Sequence, residues 1–171
     1  MPRRTSSKSS THHAGKVGAD EPAQRVLRQF RQVFNAVKTH FQQVEKKVGL
    51  GGAQVWALSV VQESPGIGVG ALAAAMNIHQ STASNLVKAL VERELVTVSR
   101  HPVDRRVVLL KLLPAGARIL RRTPGPFAGV LPNALAALEQ KTLKRLEADL
   151  AKLIEVLEVD DRLGKIPLGD R

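Results

Sequence analysis

The side chains of this sequence that could contact a partner are concentrated between Asn77 and Leu113. Apolar residues at positions 83, 86, 87, 90 and 91 follow helical spacing, so they predict a helix from about Gln80 to Arg93 that buries this face. The opposite face carries small or neutral polar side chains and one cation, at Gln80, Ser81, Thr82, Ser84, Asn85 and Lys88. Short hydroxyl side chains let the backbone of a helix come close to a DNA duplex. The amide of Asn85 can form two hydrogen bonds with the edge of an adenine, and the helix N-terminus offers free N–H groups to a phosphate. The alternative interpretation is a solvated helix face.

A basic turn follows this helix. Two β-rich runs, residues 95–99 and 107–112, predict a hairpin whose turn holds Arg100, Asp104, Arg105 and Arg106. Mutual repulsion between these arginines does not favour folding, and Asp104 can hold one guanidinium while another projects. Arginine at a hairpin tip suits the narrow minor groove of DNA, whose negative potential attracts it. The alternative is a solvated turn stabilised by an Asp–Arg pair.

Composition favours a polyanionic partner and argues against catalysis. The 171 residues include 26 Lys and Arg but 15 Asp and Glu, for a net charge of +11; a basic protein without such a partner is the alternative. The absence of cysteine excludes disulfides, thiolate-bound zinc and thiol-based redox sensing. The sequence has no Gly-rich phosphate loop, no Gly-x-Ser-x-Gly motif and no metal-ligand spacing among its five histidines. We therefore expect neither an enzyme nor a cofactor or bound metal.

The remaining segments predict helices on both sides of the central block. Residues 1–19 read as a disordered basic tail and 159–171 as a frayed C-terminal tail. Residues 51–113 form the predicted winged helix-turn-helix, with a short helix over about 70–76 before the polar-faced helix. Residues 20–50 and 114–158 are the predicted dimerisation helices, the second of them interrupted at Thr123–Pro126. The expected fold class is mainly α with a small β-hairpin wing.

The last predicted helix, residues 140–158, indicates a partner. Its leucines follow steps of three, four, three and four, at Leu143, Leu146, Leu150, Leu153 and Leu157. Such a seam requires a second helix to bury it. A homodimer is the favoured interpretation, and packing within one chain is the alternative. No apolar run approaches the ~20 residues of a membrane span and no signal-peptide core is visible, so we expect a cytoplasmic protein that contacts no membrane.

Four motifs are specific enough to suggest a family. They are Gln80-Ser81-Thr82-x-Ser84, the Leu90 to Leu95-Val96 step, Asp104-Arg105-Arg106, and Leu-x-Pro-Ala-Gly over Leu112 to Gly116. Together they resemble the winged helix-turn-helix of the MarR family of bacterial transcription regulators, and the likeness extends over residues 22–158. Three positions depart from the family pattern. Glu94 replaces a Gly, so the helix would end without its preferred left-handed residue. Leu113 replaces an N-capping Thr, and Asn85 replaces a frequent Arg, which suggests an altered sequence preference.

The resemblance implies a homodimer that binds a pseudo-palindromic double-stranded operator with half-sites about one helical turn apart. It also implies a small effector, such as the aromatic acids that many proteins of this family bind, held between the dimerisation helices and the winged domain. His40 and Trp56 are the effector-site candidates, each with a purely structural role as the alternative. The expected function is repression that an effector relieves. Rival interpretations are a nucleoid-type protein that binds DNA regardless of sequence and a helical protein–protein adaptor.

Overall fold

The computed structural model describes residues 21–100 and 108–168. Contacts along the chain divide it into two units, residues 1–32 and residues 33–171. The described part of the first unit is residues 21–32, which open helix α1 (Pro22–Val48). Residue 20, the first of the predicted dimerisation helix, lies outside the described residues.

The second unit contains the rest of α1 and all the other elements. They are α2 (Gly52–Glu63), α3 (Val69–Ala75), α4 (Gln80–Glu92), β1 (Val96–Arg100), β2 (Val108–Leu112), α5 (Pro114–Arg122), α6 (Val130–Ala136), α7 (Gln140–Val156) and a 3-10 helix (Asp161–Lys165). The predicted fold class, mainly α with a two-stranded hairpin, is confirmed. The interruption predicted at Thr123–Pro126 separates α5 from α6.

The hairpin is antiparallel, and its base is tied to the helices. Val96 pairs with Leu112 and Arg100 pairs with Val108, with one residue opposite another along the whole ladder. Leu110 also exchanges backbone hydrogen bonds with the segment before α3: its N–H donates to the Ile67 carbonyl at 3.0 Å, and its own carbonyl accepts from Gly66 at 2.9 Å. Gly66 and Ile67, just before α3, are therefore held against the hairpin.

The core of the second unit is aliphatic, as the low aromatic content predicts. Helix α2 lies at its centre, with buried residues on all sides of the helix. Helix α4 buries Ala83, Leu86, Val87 and Leu90, as expected from its spacing. The prediction for Val91 was wrong, because 37% of this side chain remains exposed.

The end of α4 corrects the expectation drawn from Glu94. Glu94 itself takes the left-handed conformation, with φ of 55°. The N–H of Glu94 donates to the Val91 carbonyl and the N–H of Leu95 donates to the Leu90 carbonyl, each at 2.9 Å. This is a Schellman motif, and the buried side chains of Leu90 and Leu95 complete it. The helix therefore keeps its preferred ending and bears the strain of a side chain at a position that favours glycine.

Replacing Glu94 by glycine should stabilise the protein. The left-handed conformation costs a non-glycine residue about 1–2 kcal/mol, and the greater freedom of unfolded glycine returns part of this, so Glu94→Gly should gain about 0.5–1 kcal/mol. Urea denaturation followed by circular dichroism measures the change. Glu92→Gly, at the last residue of α4, is the matched control and should lose up to about 1 kcal/mol. A less stable Glu94→Gly variant would contradict the strain argument.

The C-terminal segment, predicted as a frayed tail, contains the 3-10 helix over Asp161–Lys165. At the end of α7, Glu158 takes a left-handed conformation with φ of 52°, and a second Schellman motif forms as Val159 donates to the Ile154 carbonyl. The Asp160 carboxylate then accepts hydrogen bonds from the backbone N–H and the guanidinium of Arg162. This pairing holds the pKa of the Asp160 carboxyl below its ordinary value and raises the pKa of Arg162. Local pairing, which spacing of apolar residues does not reveal, orders this segment.

Candidate nucleic-acid interface and apolar cavity

Helices α3 and α4 form a helix-turn-helix that presents α4 at the surface. The turn runs from Met76 to His79, and Asn77 occupies the left-handed position in it with φ of 51°. Met76 and Ile78 point into the core, with 2% and 8% of their surfaces exposed. Because the turn is anchored on both sides of Asn77, the buried side chains of α4 are held on the core and its polar face is directed to solvent.

The predicted contact residues of α4 share this solvent face. Gln80, Ser81, Ser84, Asn85 and Lys88 are exposed and Thr82 is half-buried. Among the residues that the structure describes, the Asn85 side chain has no hydrogen-bond partner, so both its amide donor and its carbonyl acceptor are available to a base edge. The helix therefore offers a narrow polar face of short side chains.

Two residues of this face already have partners within the helix. The Ser84 hydroxyl donates to the Gln80 carbonyl at 2.8 Å, which leaves its oxygen lone pairs as acceptors. Lys88 Nζ lies 4.0 Å from Glu92 Oε1, with 78% and 64% of the two side chains exposed. An ion pair so exposed contributes little stability, so it leaves the ammonium free to exchange Glu92 for a phosphate.

The beginning of α4 provides backbone donors. His79 is the N-cap residue, and its side chain makes no capping hydrogen bond. The first backbone bond into the helix is donated by Ala83 to the His79 carbonyl. The N–H groups of residues 80–82 are consequently without helical partners, as at any helix start, and they coincide with the positions predicted to meet DNA.

Both strands of the wing are described, but the residues between them, 101–107, are not. Arg100 is exposed at the last position of β1, paired across the ladder with Val108. The predicted contact residues Asp104, Arg105 and Arg106 lie outside the described residues.

Arg93 has a role that the sequence analysis missed. Its Nη1 donates to the Gly49 carbonyl at 2.8 Å. Gly49 follows α1 with φ of 69°, so this bond joins the end of α4 to the end of α1. A charge-assisted bond to a helix-terminal carbonyl is a recognised use of arginine, but the 44 residues between the partners hide it from any local pattern.

A cavity of about 240 Å³ lies beside Trp56. Its wall combines residues of α1, α2 and α6 with the turn of the helix-turn-helix and the C-terminal segment, chiefly Phe41, Trp56, Ile78, Phe127, Leu135 and Ile166. No residue of this wall is charged. The cavity can therefore hold an apolar or aromatic group, and Ile78 places it two residues before the start of α4.

The two candidate effector residues do not meet in this cavity. Trp56 lines it, whereas His40 does not. His40 Nε2 lies 3.1 Å from the Pro126 carbonyl oxygen, which can only accept, so this nitrogen carries the proton of the bond. This hydrogen bond of His40 therefore links α1 to the loop between α5 and α6. Such a link is the purely structural role that was the alternative for His40.

A second, larger groove of about 760 Å³ adjoins the cavity. The two share Val37, Phe41, Gly52 and the C-terminal residues 166–168, and the groove adds the charged side chains Lys38 and Glu45. Sequence reasoning missed the C-terminal contribution because residues 159–171 were assigned to a tail. The apolar run Ile166-Pro167-Leu168 was the available signal.

Neither a metal centre nor a membrane span was found in the described parts of the chain. No group of three His, Asp or Glu side chains is arranged to hold an ion there. Likewise, none of the helices in these parts combines the length and apolar character needed to cross a bilayer.

Comparison with known proteins identifies the helix-turn-helix. Residues 48–107, from the end of α1 to the turn of the hairpin, match the sequence model of the MarR family. The chain is also 25% identical over 128 residues to YsmB of Bacillus subtilis, by name an uncharacterized HTH-type transcriptional regulator. That alignment covers 75% of this chain and 88% of YsmB.

Solved structures share the fold. A MepR-like protein complexed with pseudoligands has a TM-score of 0.55 at 18% identity, covering 78% of this chain and 94% of that one. FabT of Streptococcus pneumoniae, solved in complex with DNA, has a TM-score of 0.51 at 16% identity, covering 80% and 97%. The helix-turn-helix segment of this chain therefore matches the MarR family model, and the described chain shares the fold of these solved structures.

Proposed function

We propose that this protein is a homodimeric, sequence-specific regulator that represses transcription from a pseudo-palindromic operator and is released by a small effector. The observation that carries the proposal is the exposed face of α4, where Asn85 and three short hydroxyl side chains stand on a helix fixed to the core. Each copy would place α4 in one major groove, with half-sites about one helical turn apart. Lys88, Arg100 and the wing residues Arg105 and Arg106 would bind phosphates and the minor groove, and Asp104 would hold one of the wing guanidinium groups in place.

The leucine seam of α7 supports the homodimer. No residue of α7 is buried within one chain, and 38% of Leu153 and 61% of Leu157 are exposed. A helix with heptad-spaced leucines at its surface is stabilised by a second copy that presents the same seam. The dimer would place two copies of α4 on one side of a duplex.

The cavity beside Trp56 supports control by an effector. Asn77 and Ile78 of its wall belong to the turn that orients α4, so a ligand bound there would contact the element that sets the direction of the recognition helix. An aromatic ring matches the uncharged wall, and the carboxylate of an aromatic acid would have to reach Lys38 in the adjoining groove. Two proteins of this fold have been solved with such partners: FabT in complex with DNA and the MepR-like protein in complex with pseudoligands.

Substituting Asn85 tests sequence-specific reading. A bidentate contact to adenine contributes about 1–3 kcal/mol of discrimination, so Asn85→Ala should lower affinity for the operator about 10- to 100-fold. Affinity for an unrelated duplex should stay unchanged, because that binding depends on phosphates. Fluorescence anisotropy at several salt concentrations measures both, using the DNA upstream of the protein's own gene as the operator source.

Asn133→Ala is the matched control, since Asn133 is an exposed asparagine on α6, outside the proposed interface. It should leave both affinities at the level of the parent protein. Equal affinity of the parent protein for all duplexes, with no effect of Asn85→Ala, would instead favour the nucleoid-type protein. The absence of binding to any duplex at moderate salt would favour the protein–protein adaptor.

A further inference from the structure

The chain's own C-terminal segment lines one part of the cavity beside Trp56. Gly164, Ile166, Pro167 and Leu168 belong to its wall. The last three also line the adjoining groove, together with Leu163. One short segment therefore borders both spaces into which a ligand could enter.

This segment is attached by few interactions. Among the described residues, the hydrogen bonds of residues 160–168 stay within the segment: Leu163 and Ile166 donate to the carbonyls of Asp160 and Leu163, and Arg162 binds Asp160. Its contact with the cavity is thus apolar, yet 49% of Ile166 and 60% of Leu168 are exposed. Such a segment can leave the body without breaking a hydrogen bond to it.

The path of the chain provides a hinge for that movement. Glu158 ends α7 in the left-handed conformation and turns the chain, and the pair of Asp160 with Arg162 keeps the following 3-10 helix as a unit. Rotation about the residues next to Glu158 would therefore move residues 160–168 together. Hinges of this kind are commonly found at the ends of helices.

We propose that residues 159–168 form a built-in cover that a largely apolar ligand must displace to occupy the cavity beside Trp56. The cover lowers the apparent affinity of the ligand, because only the uncovered state binds. It also makes ligand binding and release of the C-terminal segment a single coupled event. The proposal rests on the proposed function for its regulatory meaning, but the covering itself is independent of DNA.

Trp56, the single tryptophan of the chain, reports directly on the cover. In the full chain, Ile166→Asp should expel the segment by placing a charge against the uncharged wall. Acrylamide should then quench Trp56 more strongly, and the neutral apolar probe N-phenyl-1-naphthylamine should bind on the order of ten-fold more tightly. Lys165→Asp is the matched control, because Lys165 borders neither space, and it should leave both values unchanged.

Limited trypsin digestion of the unmodified protein gives a second measurement. The probe should accelerate cleavage after Arg162 and Lys165, because displacement of the segment exposes the backbone there. Mass spectrometry of the C-terminal fragments measures the rate of cleavage. Slower cleavage at these sites, or weaker probe binding by Ile166→Asp, would overturn the proposal by showing that the segment is a permanent wall. Because no DNA is present, these results are separate from the outcome of the operator titration.

Discussion

Leu153→Glu is expected to convert the protein from a dimer to a monomer. Leu153 is one of the exposed leucines of the α7 seam, and a dimer would bury it in both copies. Losing two such contacts costs about 3 kcal/mol or more, which corresponds to about a 100-fold weaker dimer. Two glutamates that face each other add repulsion to this loss. Sedimentation equilibrium at micromolar concentration measures the change in mass.

The same substitution should weaken operator binding by at least about 100-fold, because a monomer engages one half-site and loses the gain from linked binding. Ala148→Glu is the matched control: it introduces the same charge on the opposite side of α7 and should leave both the mass and the operator affinity unchanged. A Leu153→Glu variant that stays dimeric would show that the seam of α7 is not the dimer interface. The reading of DNA by α4 would then still be tested separately by Asn85→Ala.

Gly116→Ala is expected to destabilise the fold strongly. Gly116 is in the first turn of α5, and a Cβ there would lie 2.5 Å from the Leu95 carbonyl oxygen and 2.7 Å from Leu112 Cδ1. The same carbonyl accepts the hydrogen bond of Leu113 at 2.9 Å, so it cannot move without loosening α5 from the hairpin. Overpacking of this kind against the backbone should cost about 2–3 kcal/mol. Urea denaturation measures the loss.

Gly70→Ala provides the matched comparison. Gly70 lies within α3, and a Cβ built there meets no atom within 4 Å. The same chemical change should therefore stabilise the protein by about 0.5–1 kcal/mol through the better helix propensity of alanine. Equal stability of the two variants would show that α5 can shift on the hairpin and that the close approach at Gly116 is not required.

Much of the fold could be predicted from local patterns. The apolar residues of α4 and α7, spaced by three and four positions, predicted the bounds of both helices to within two residues, because this spacing matches the period of a helix. Pro114 marked the start of α5, which begins with this proline and without a side-chain cap from Leu113. The polar face of α4 could be predicted in the same way. Its contact with DNA stays a prediction, as does that of the wing.

Other features depend on residues far apart in the chain. The bond of Arg93 to Gly49 and the packing of His40 on the Pro126 carbonyl join elements that no periodicity relates. Glu94 could be recognised as an unusual residue, but only the backbone bonds of Leu90 and Leu95 showed that it completes the helix end. Burial of neighbouring side chains compensates the local strain there, and burial is a property of the folded chain.

The sequence by itself determined the family signature, the order of the helices and the composition of the face that α4 presents to solvent. These follow from residue spacing and turn chemistry, which act over a few residues and can be recognised in the sequence alone. Only the tertiary structure decided that residues 164–168 return to the cavity beside Trp56 and that His40 does not line it. The free energy of an apolar contact depends on the surface it covers, and that surface exists only after distant segments have packed together.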